Sequence, residues 1–279
     1  MKYMKIMVLF FICYSELNAQ KRDSVWPILK TYDQDHIQKI KMPVGGIGTG
    51  TISLTGRGSL EDWEIMNRPA KGFNPTLENR GPAKQKGPFF AMYIEDGEGR
   101  KQTRLLEGPA DEASYEGAWG ANSNHHGLPR FGKATFKTAY PFGQVLLSDN
   151  DLPVEVIVGA FNPLIPGNVD DSSIPMAILN YSVKNTSEKD VIISIAGTIQ
   201  NFIGFDGTRG KAIKNKNTYR ESDGVKGIHY TTAGVDPGSE QWGSMSFVSL
   251  NDEETTYRTA WQKMVSRWDK RRCATCTTV

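Results

Sequence analysis

Apolar and polar residues alternate along much of this chain, and that period of two constrains its fold more than any other feature. The alternation is clearest in four runs, 134–140, 154–158, 177–183 and 191–199. In the third run, Leu179, Tyr181 and Val183 share a face opposite polar side chains. Because successive side chains of a strand point to opposite faces, this pattern is typical of antiparallel strands with one buried face.

Glycine and proline fall in clusters between the apolar runs, as expected for turns. The chain has 28 glycines and 14 prolines, and these residues favour the backbone conformations of tight connections. Further strands are predicted at 51–54, 89–94, 228–232 and 244–250, a hairpin loop at Ser187–Lys189, and a weak short helix at 34–40. Residues 55–87, 107–132 and 204–226 are predicted as long loops. The fold class is therefore all-β, an antiparallel β-sandwich with long decorated loops.

Residues 1–19 have the layout of a secretory signal peptide. Lys2 and Lys5 precede the apolar run 6–13, and Ala19 supplies a small residue at a cleavage point. The run is shorter than the ~20 apolar residues that span a bilayer, which favours export over a membrane anchor. We therefore expect a secreted or periplasmic protein, cleaved after about Ala19, without a membrane span.

Composition excludes several classes of function. The formal net charge of +2 over 279 residues gives no electrostatic reason to expect a nucleic-acid or anionic-membrane partner. After the signal peptide only Cys273 and Cys276 remain, so a disulfide framework is excluded, and their C-x-x-C spacing lacks the context of a redox motif. The pair His125 and His126 lacks zinc-ligand spacing. We expect no cofactor and no metal.

The glycine run at residues 45–50 reads Gly-Gly-Ile-Gly-Thr-Gly. Its spacing is G-x-G-x-G, whereas dinucleotide-binding turns have G-x-G-x-x-G between a strand and a helix, and no phosphate-binding lysine follows. The run therefore predicts a tight turn where two backbone segments approach closely.

Glu61, Asp62 and Glu64 surround Trp63. A glycosidase needs two carboxyl groups on opposite sides of a sugar bond, and an aromatic ring beside them suits sugar stacking. Catalytic pairs usually come from separate elements, however, so these sequence neighbours are interpreted as a solvated loop.

Several motifs between residues 140 and 185 point to a family. They are Tyr140-Pro141, Leu152-Pro153-Val154, the Phe-x-Pro-x-x-Pro turn 161–166, the Asp-Ser-Ser-x-Pro segment 171–175, and a strand ending at Asn185. With the glycine run, Gly56, Gly58 and Trp63, this pattern resembles the N-terminal domain of glycoside hydrolase family 116, which includes the non-lysosomal glucosylceramidases (bile-acid β-glucosidases). The resemblance covers about residues 40–260. Glu61-Asp62 departs from the family's basic residues, and the segment 204–226 does not align.

The resemblance implies an N-terminal β-sandwich followed by a catalytic (α/α)₆ barrel. Members are retaining glycosidases that act on β-linked glucosides, and their nucleophile and acid/base residues lie in the barrel. The implied partners of this chain are a carbohydrate or glycoside and that barrel. No catalytic residue carries over to any position of this sequence.

The C-terminal segment has a different pattern. Trp261, Val265 and Trp268 fall at helical spacing and predict a short helix whose apolar face contacts the barrel. The expected organisation is a sandwich domain at 20–258, followed at 259–279 by the start of a linker helix with an aberrant tail. We interpret this as a truncated chain, by a frameshift or an early stop.

Three functions are consistent with these features. The first is a truncated glycosidase that is inactive alone. The second is a carbohydrate-binding module with Trp63, Trp119 or Trp242 as the stacking platform. The third is an interaction domain that docks a separately encoded barrel through the glycine run and the C-terminal helix.

Overall fold

A computed structural model describes residues 29–69, 72–75, 88–110, 128–222, 224–250 and 255–260, and in these ranges the chain is almost entirely β-structure. The strands are β1 (Lys30–Tyr32), β2 (Lys41–Val44), β3 (Thr51–Thr55), β4 (Leu60–Glu64), β5 (Phe89–Glu95), β6 (Lys101–Leu105), β7 (Lys133–Ala139), β8 (Phe142–Ser148), β9 (Val154–Phe161), β10 (Leu179–Asn185), β11 (Ile192–Thr198), β12 (Asn215–Ser222), β13 (Val225–Thr232) and β14 (Met245–Ser249). One short helix, α1 (Val169–Ser172), lies between β9 and β10. The predicted all-β sandwich is confirmed.

The strands form four antiparallel sheets. The largest has the order β1-β7-β8-β9-β10, and three-stranded sheets have the orders β11-β5-β6, β12-β13-β14 and β2-β3-β4. In the large sheet, Val158 lies opposite both Val145 and Tyr181. This register places the apolar residues of neighbouring strands on one face, which is the requirement for a shared core.

Burial follows the period of two. In β9, Val154, Val156 and Val158 are each 1% exposed, whereas the intervening Glu155 and Ile157 are exposed. The buried face packs into one core with residues from the other strands and from the loops that follow them. Examples are Leu54, Trp63, Met92, Ile94, Phe136, Leu147, Ile195 and Phe202.

Aromatic contacts join the sheets to one another. The ring of Phe90 in β5 lies 5.4 Å from that of Tyr181 in β10 and 5.9 Å from that of Phe247 in β14, measured between centroids. Gly197 in β11 permits this packing, because a Cβ at that position would lie 2.5 Å from Cζ of Phe247.

The sequence predicted eight of the fourteen strands in the described residues; it did not predict β1, β2, β6 and β8, and three further details differ. Ser187–Lys189 does not form a hairpin, because β10 pairs with β9 in one sheet and β11 pairs with β5 in another, with Ile192 opposite Glu95. Strands β4 and β12 lie where loops were predicted. The weak helix predicted at 34–40 is a single 3-10 turn, Gln34–His36, followed by the buried Ile37.

Several predictions lie outside the described residues. These are the signal peptide, the histidine pair, Trp119, the cysteine pair, and the C-terminal helix with Trp261, Val265 and Trp268. Within the described ranges, no helix combines the length and apolar character needed to cross a membrane.

Candidate functional site

The glycine run and the loop after β9 interlock at one end of the sandwich. The glycine loop (residues 45–50) connects β2 to β3, and the β9–β10 loop comprises residues 162–178. The amide of Gly45 donates to the carbonyl of Phe161 (3.3 Å), and the amide of Ile47 donates to the carbonyl of Ser172 (2.8 Å). Nδ2 of Asn162, a buried residue, donates to the carbonyl of Gly45 at 2.6 Å. Two motifs that are distant in sequence are therefore held together by their backbones.

Gly46 makes the closest approach in this contact. A Cβ at this position would lie 2.2 Å from the carbonyl oxygen of Ile174 and 2.8 Å from Oγ1 of Thr49. Gly45, Gly48 and Gly50 have φ values of 91°, 76° and 103°, which L-residues with a side chain rarely adopt. The prediction of a tight turn with close backbone approach is confirmed.

Internal hydrogen bonds give the β9–β10 loop a defined shape. Oδ1 of Asn168 accepts from the amide of Asp171 at 3.1 Å and caps α1. Oγ of Ser172 donates to the carbonyl of Asn168 at 2.6 Å and accepts from the amide of Ile165 at 3.0 Å. Two residues of the Asp-Ser-Ser-x-Pro motif, Asp171 and Ser172, thus help to fix the shape of this loop.

These two loops expose an unusual number of large apolar side chains, which we call the apolar patch. It comprises Ile47, Leu164, Ile165, Val169, Ile174 and Met176, all exposed and with Val169 reaching 77%. Single exposed apolar residues are ordinary. Six on two interlocked loops are a concentration of the kind that marks interaction surfaces.

An aromatic cluster fills the core next to the glycine loop. Phe202 packs edge-on against Trp63 (5.9 Å between centroids) and against Phe73 (5.6 Å), and Phe73 packs against Phe205 (5.6 Å). Trp63 is only 5% exposed, so its ring offers no open face to a sugar in this structure. Of the other two tryptophans predicted as stacking platforms, Trp119 lies outside the described residues and Trp242 is 46% exposed.

Asp206 joins three loops at the same end of the molecule. Its carboxylate is fully buried, and its Oδ1 accepts from the amides of Thr208 (2.8 Å) and Arg209 (2.6 Å). Its Oδ2 accepts from Nε2 of Gln241 (3.0 Å) and lies 3.3 Å from Nε of Arg68. A buried carboxylate with this many donors is well compensated for its lost hydration.

Electrostatics at Asp206 favour the ionised form. Burial alone would raise the pKa of this carboxyl. The hydrogen bonds from Gln241 and from the backbone of Arg209 and Thr208 outweigh that effect and hold the pKa of Asp206 well below its ordinary value.

Sequence reasoning missed both Asp206 and a second buried acid, Glu107. Oε2 of Glu107 lies 3.2 Å from Nε of Arg130, and both side chains are nearly buried. Burial raises the pKa of Glu107, and the neighbouring Arg130 opposes that shift. For Asp206, the sequence Asp-Gly-Thr-Arg indicated a turn whose side chain accepts from the amides that follow, but nothing in it indicated the distant partners.

The sequence analysis placed the carboxylates around Trp63 on a solvated loop. That prediction is wrong, because they lie on strand β4. Nζ of Lys41 lies 3.1 Å from Oε2 of Glu61 and 2.7 Å from Oδ2 of Asp62. Burial alone would lower the pKa of Lys41, but the hydrogen bonds to Asp62 and Glu61 raise it above its ordinary value. A lysine ammonium therefore lies between the two carboxylates. Within the described ranges, no three His, Cys, Asp or Glu side chains are grouped so that they could hold a metal ion.

Comparison with known families identifies the domain. Residues 41–275 match the family model described as beta-glucosidase 2, glycosyl-hydrolase family 116 N-term. The match covers most of the chain and extends into the segment after residue 259. The chain therefore belongs to glycoside hydrolase family 116, and the matched part is the N-terminal domain of that family.

Replacing Gly46 tests the interlock of the two loops. We expect Gly46→Ala to lower the free energy of unfolding by about 3 kcal/mol, because the new Cβ would overlap the Ile174 carbonyl. Gly48→Ala is the control. It has positive φ but no atom within 4 Å of its Cβ position, so we expect a cost of only about 1 kcal/mol. Equal losses in urea unfolding would show that contact with the β9–β10 loop is unimportant.

Replacing Asp206 tests the loop anchor and its pH dependence. We expect Asp206→Asn to lower the free energy of unfolding at pH 7 by about 3 kcal/mol, at the lower end for a broken buried pair because Arg68 keeps some solvent contact. Since the pKa of Asp206 is lowered on folding, its stabilisation is complete above about pH 5. It is lost as the pH falls below the unfolded pKa of about 3.9 toward the folded value.

The wild-type and Asp206→Asn unfolding energies should therefore converge in acid. Asp236→Asn is the matched control, because Asp236 also accepts from a backbone amide but is exposed. A constant gap between wild type and Asp206→Asn from pH 7 to pH 2 would contradict the anchor.

Proposed function

We propose that this domain is the non-catalytic half of an exported β-glucosidase-like glycoside hydrolase and is inactive without a catalytic (α/α)₆ barrel. The observation that carries the proposal is the match of residues 41–275 to the N-terminal domain of family 116. The resemblance implies that the reaction of this family, retaining hydrolysis of β-linked glucosides, uses residues of the barrel.

The arrangement of acids in the described residues supports the absence of chemistry on this domain. Retaining glycosidases hold two carboxyl groups about 5 Å apart on either side of the scissile bond. Glu61 and Asp62 are near one another, but Nζ of Lys41 occupies the space between them. Asp206 and Glu107 are buried and paired with arginines. None of these four acids presents a free carboxyl group to a substrate.

The apolar patch supports a docking role. Family motifs build the glycine loop and the β9–β10 loop, and the same loops expose Ile47, Ile165 and Ile174. Hydrophobic surface rimmed by polar residues is characteristic of domain interfaces. A barrel, on the same chain or encoded separately, would cover these side chains.

Export is proposed from the sequence of residues 1–19 alone. Lys2 and Lys5, the apolar run and Ala19 follow the order of a signal peptide. We expect the mature protein to begin at Gln20. Mass spectrometry of the protein recovered from the medium or periplasm measures this. A product in the cytoplasm that keeps residues 1–19 would contradict export.

An activity assay tests the absence of catalysis. We expect purified protein to release no aryl leaving group from a nitrophenyl β-glucoside above the buffer rate, because Glu61, Asp62, Glu107 and Asp206 are all engaged by cationic side chains. Glu61→Gln is measured in parallel, since it removes an acid of the Lys41 cluster. Turnover by the wild type that disappears in Glu61→Gln would overturn the proposal. Turnover that persists at constant specific activity through repurification would overturn it as well, whereas turnover that repurification removes comes from a contaminating enzyme and leaves the proposal supported.

A further inference from the structure

A dense group of cations lies on the surface near Trp242. Five cationic residues occur between positions 209 and 220, and all are exposed: Arg209, Lys211, Lys214, Lys216 and Arg220. We call residues 209–214 the basic turn, which leads directly into β12. Because the whole chain has a formal net charge of only +2, this group is a strong local departure from the average.

These cations are not neutralised by carboxylates in the part of the chain that the structure describes. Asp206, which precedes the basic turn, uses both oxygens to bind the amides of Thr208 and Arg209 and the side chains of Gln241 and Arg68. Glu221, which directly follows Arg220, accepts from the hydroxyl of Tyr219 at 2.9 Å. Within the described ranges, no ion pair involves the side chains of the basic turn or of β12. The positive potential of the basic turn therefore faces solvent.

Trp242 belongs to the same surface. The amide of Gly204 donates to the carbonyl of Gln241 at 3.1 Å, and a Cβ at Gly210 would lie 3.5 Å from Cγ of Gln241. Trp242 directly follows Gln241 and is 46% exposed. The half-exposed Trp242 is therefore attached to a backbone segment that contacts the one carrying Arg209 and Lys211.

The basic turn is held in a fixed shape. Asp206 binds the amides of Thr208 and Arg209, and Nδ2 of Asn215 donates to the carbonyls of Asn201 and Ile203, both at 3.0 Å. A turn fixed by buried hydrogen bonds loses less conformational entropy on binding than a flexible lysine-rich loop.

The cations near Trp242 could serve to keep an edge strand from pairing with other chains, but this explains only some of them. Lysines on an edge strand prevent pairing with other chains, and Lys216 and Arg220 lie on β12 at the edge of its sheet. Arg209, Lys211 and Lys214 precede the strand, so edge protection does not require them. Their position beside an exposed tryptophan needs another explanation.

We propose that the basic turn and Trp242 bind an anionic glycan, a polysaccharide that carries carboxylate or sulfate groups. Arg209, Lys211 and Lys214 would pair with the acidic groups, which guanidinium and ammonium side chains bind by charge-assisted hydrogen bonds. Trp242 would pack against a sugar ring, as aromatic side chains do in ligand sites. A neutral glucan would leave the cations unpaired. The proposal goes beyond the role in β-glucoside hydrolysis and does not depend on it.

Binding is measured with the purified chain by isothermal titration calorimetry against polygalacturonate, heparin, neutral laminarin and polyglutamate. We expect binding to polygalacturonate, to heparin, or to both, with affinity that falls as salt is raised. Preference between the first two assigns the anion as carboxylate or sulfate. If neutral laminarin binds as tightly as the anionic polysaccharides, recognition does not depend on charge and the proposal is overturned. Equal binding of polyglutamate overturns glycan recognition in favour of an acidic protein partner.

Variants separate the charge from the aromatic ring. We expect the double variant Lys211→Gln/Lys214→Asn to weaken binding at least about tenfold, about 1.4 kcal/mol. Asparagine is chosen for Lys214, whose φ is 50°, because it tolerates that conformation. The matched control Lys39→Gln/Lys133→Gln removes two exposed lysines elsewhere and should bind as wild type does.

Trp242→Ala should also weaken binding of the glycan while leaving the salt dependence unchanged. Wild-type affinity in the Lys211/Lys214 double variant, or in Trp242→Ala, would overturn the proposal. Unchanged circular dichroism and melting temperature establish that each variant is folded, which the exposure of these side chains leads us to expect.

Discussion

Burial of one face of β9 and its neighbours is the constraint on which the remainder of the structure depends. Val154, Val156 and Val158 lose nearly all contact with water, and the sheet β11-β5-β6 supplies Met92 and Ile195 to the same core. With about 1.5–3 kcal/mol for each large apolar side chain buried, a one-residue slip that exposed this face would be costly, so the core fixes the register of the strands. The register determines where each strand ends, and so brings the glycine loop and the β9–β10 loop together.

The sequence showed which face of a strand is buried more readily than it showed which strand pairs with which. The alternation in 154–158 and 177–183 identified both strands correctly, because each has one apolar face. The same alternation in 191–199 did not show that β11 belongs to another sheet, since two strands that cover one core from opposite sides have the same pattern. β12 was missed because its residues are polar on both faces, with four lysine, arginine and asparagine residues from Asn215 to Arg220.

The candidate sites differed in the same way. The sequence predicted that the backbone at Gly46 would lie close to another segment. A glycine-rich run that lacks the context of a phosphate-binding loop is most simply explained by such a close approach. The partner, Ile174, was not predictable. Asp206 depends on Gln241 and on Arg68, which are far away in sequence. The distinction between Trp63 and Trp242 required burial, because both lie beside polar residues in the sequence but only one is in the core.

The connection from β10 to β11 has a consequence for how the chain reaches its native state. Because β11 pairs with β5, with Ile192 opposite Glu95, the second layer cannot close until most of the domain has been synthesised. Long-range strand pairing of this kind slows folding and leaves strand edges unpaired in the meantime. Phe90 and Met92 would then remain accessible to chaperones and proteases until β11 arrives. The rate at which this domain folds should therefore be governed by a late step, the arrival of β11 on β5.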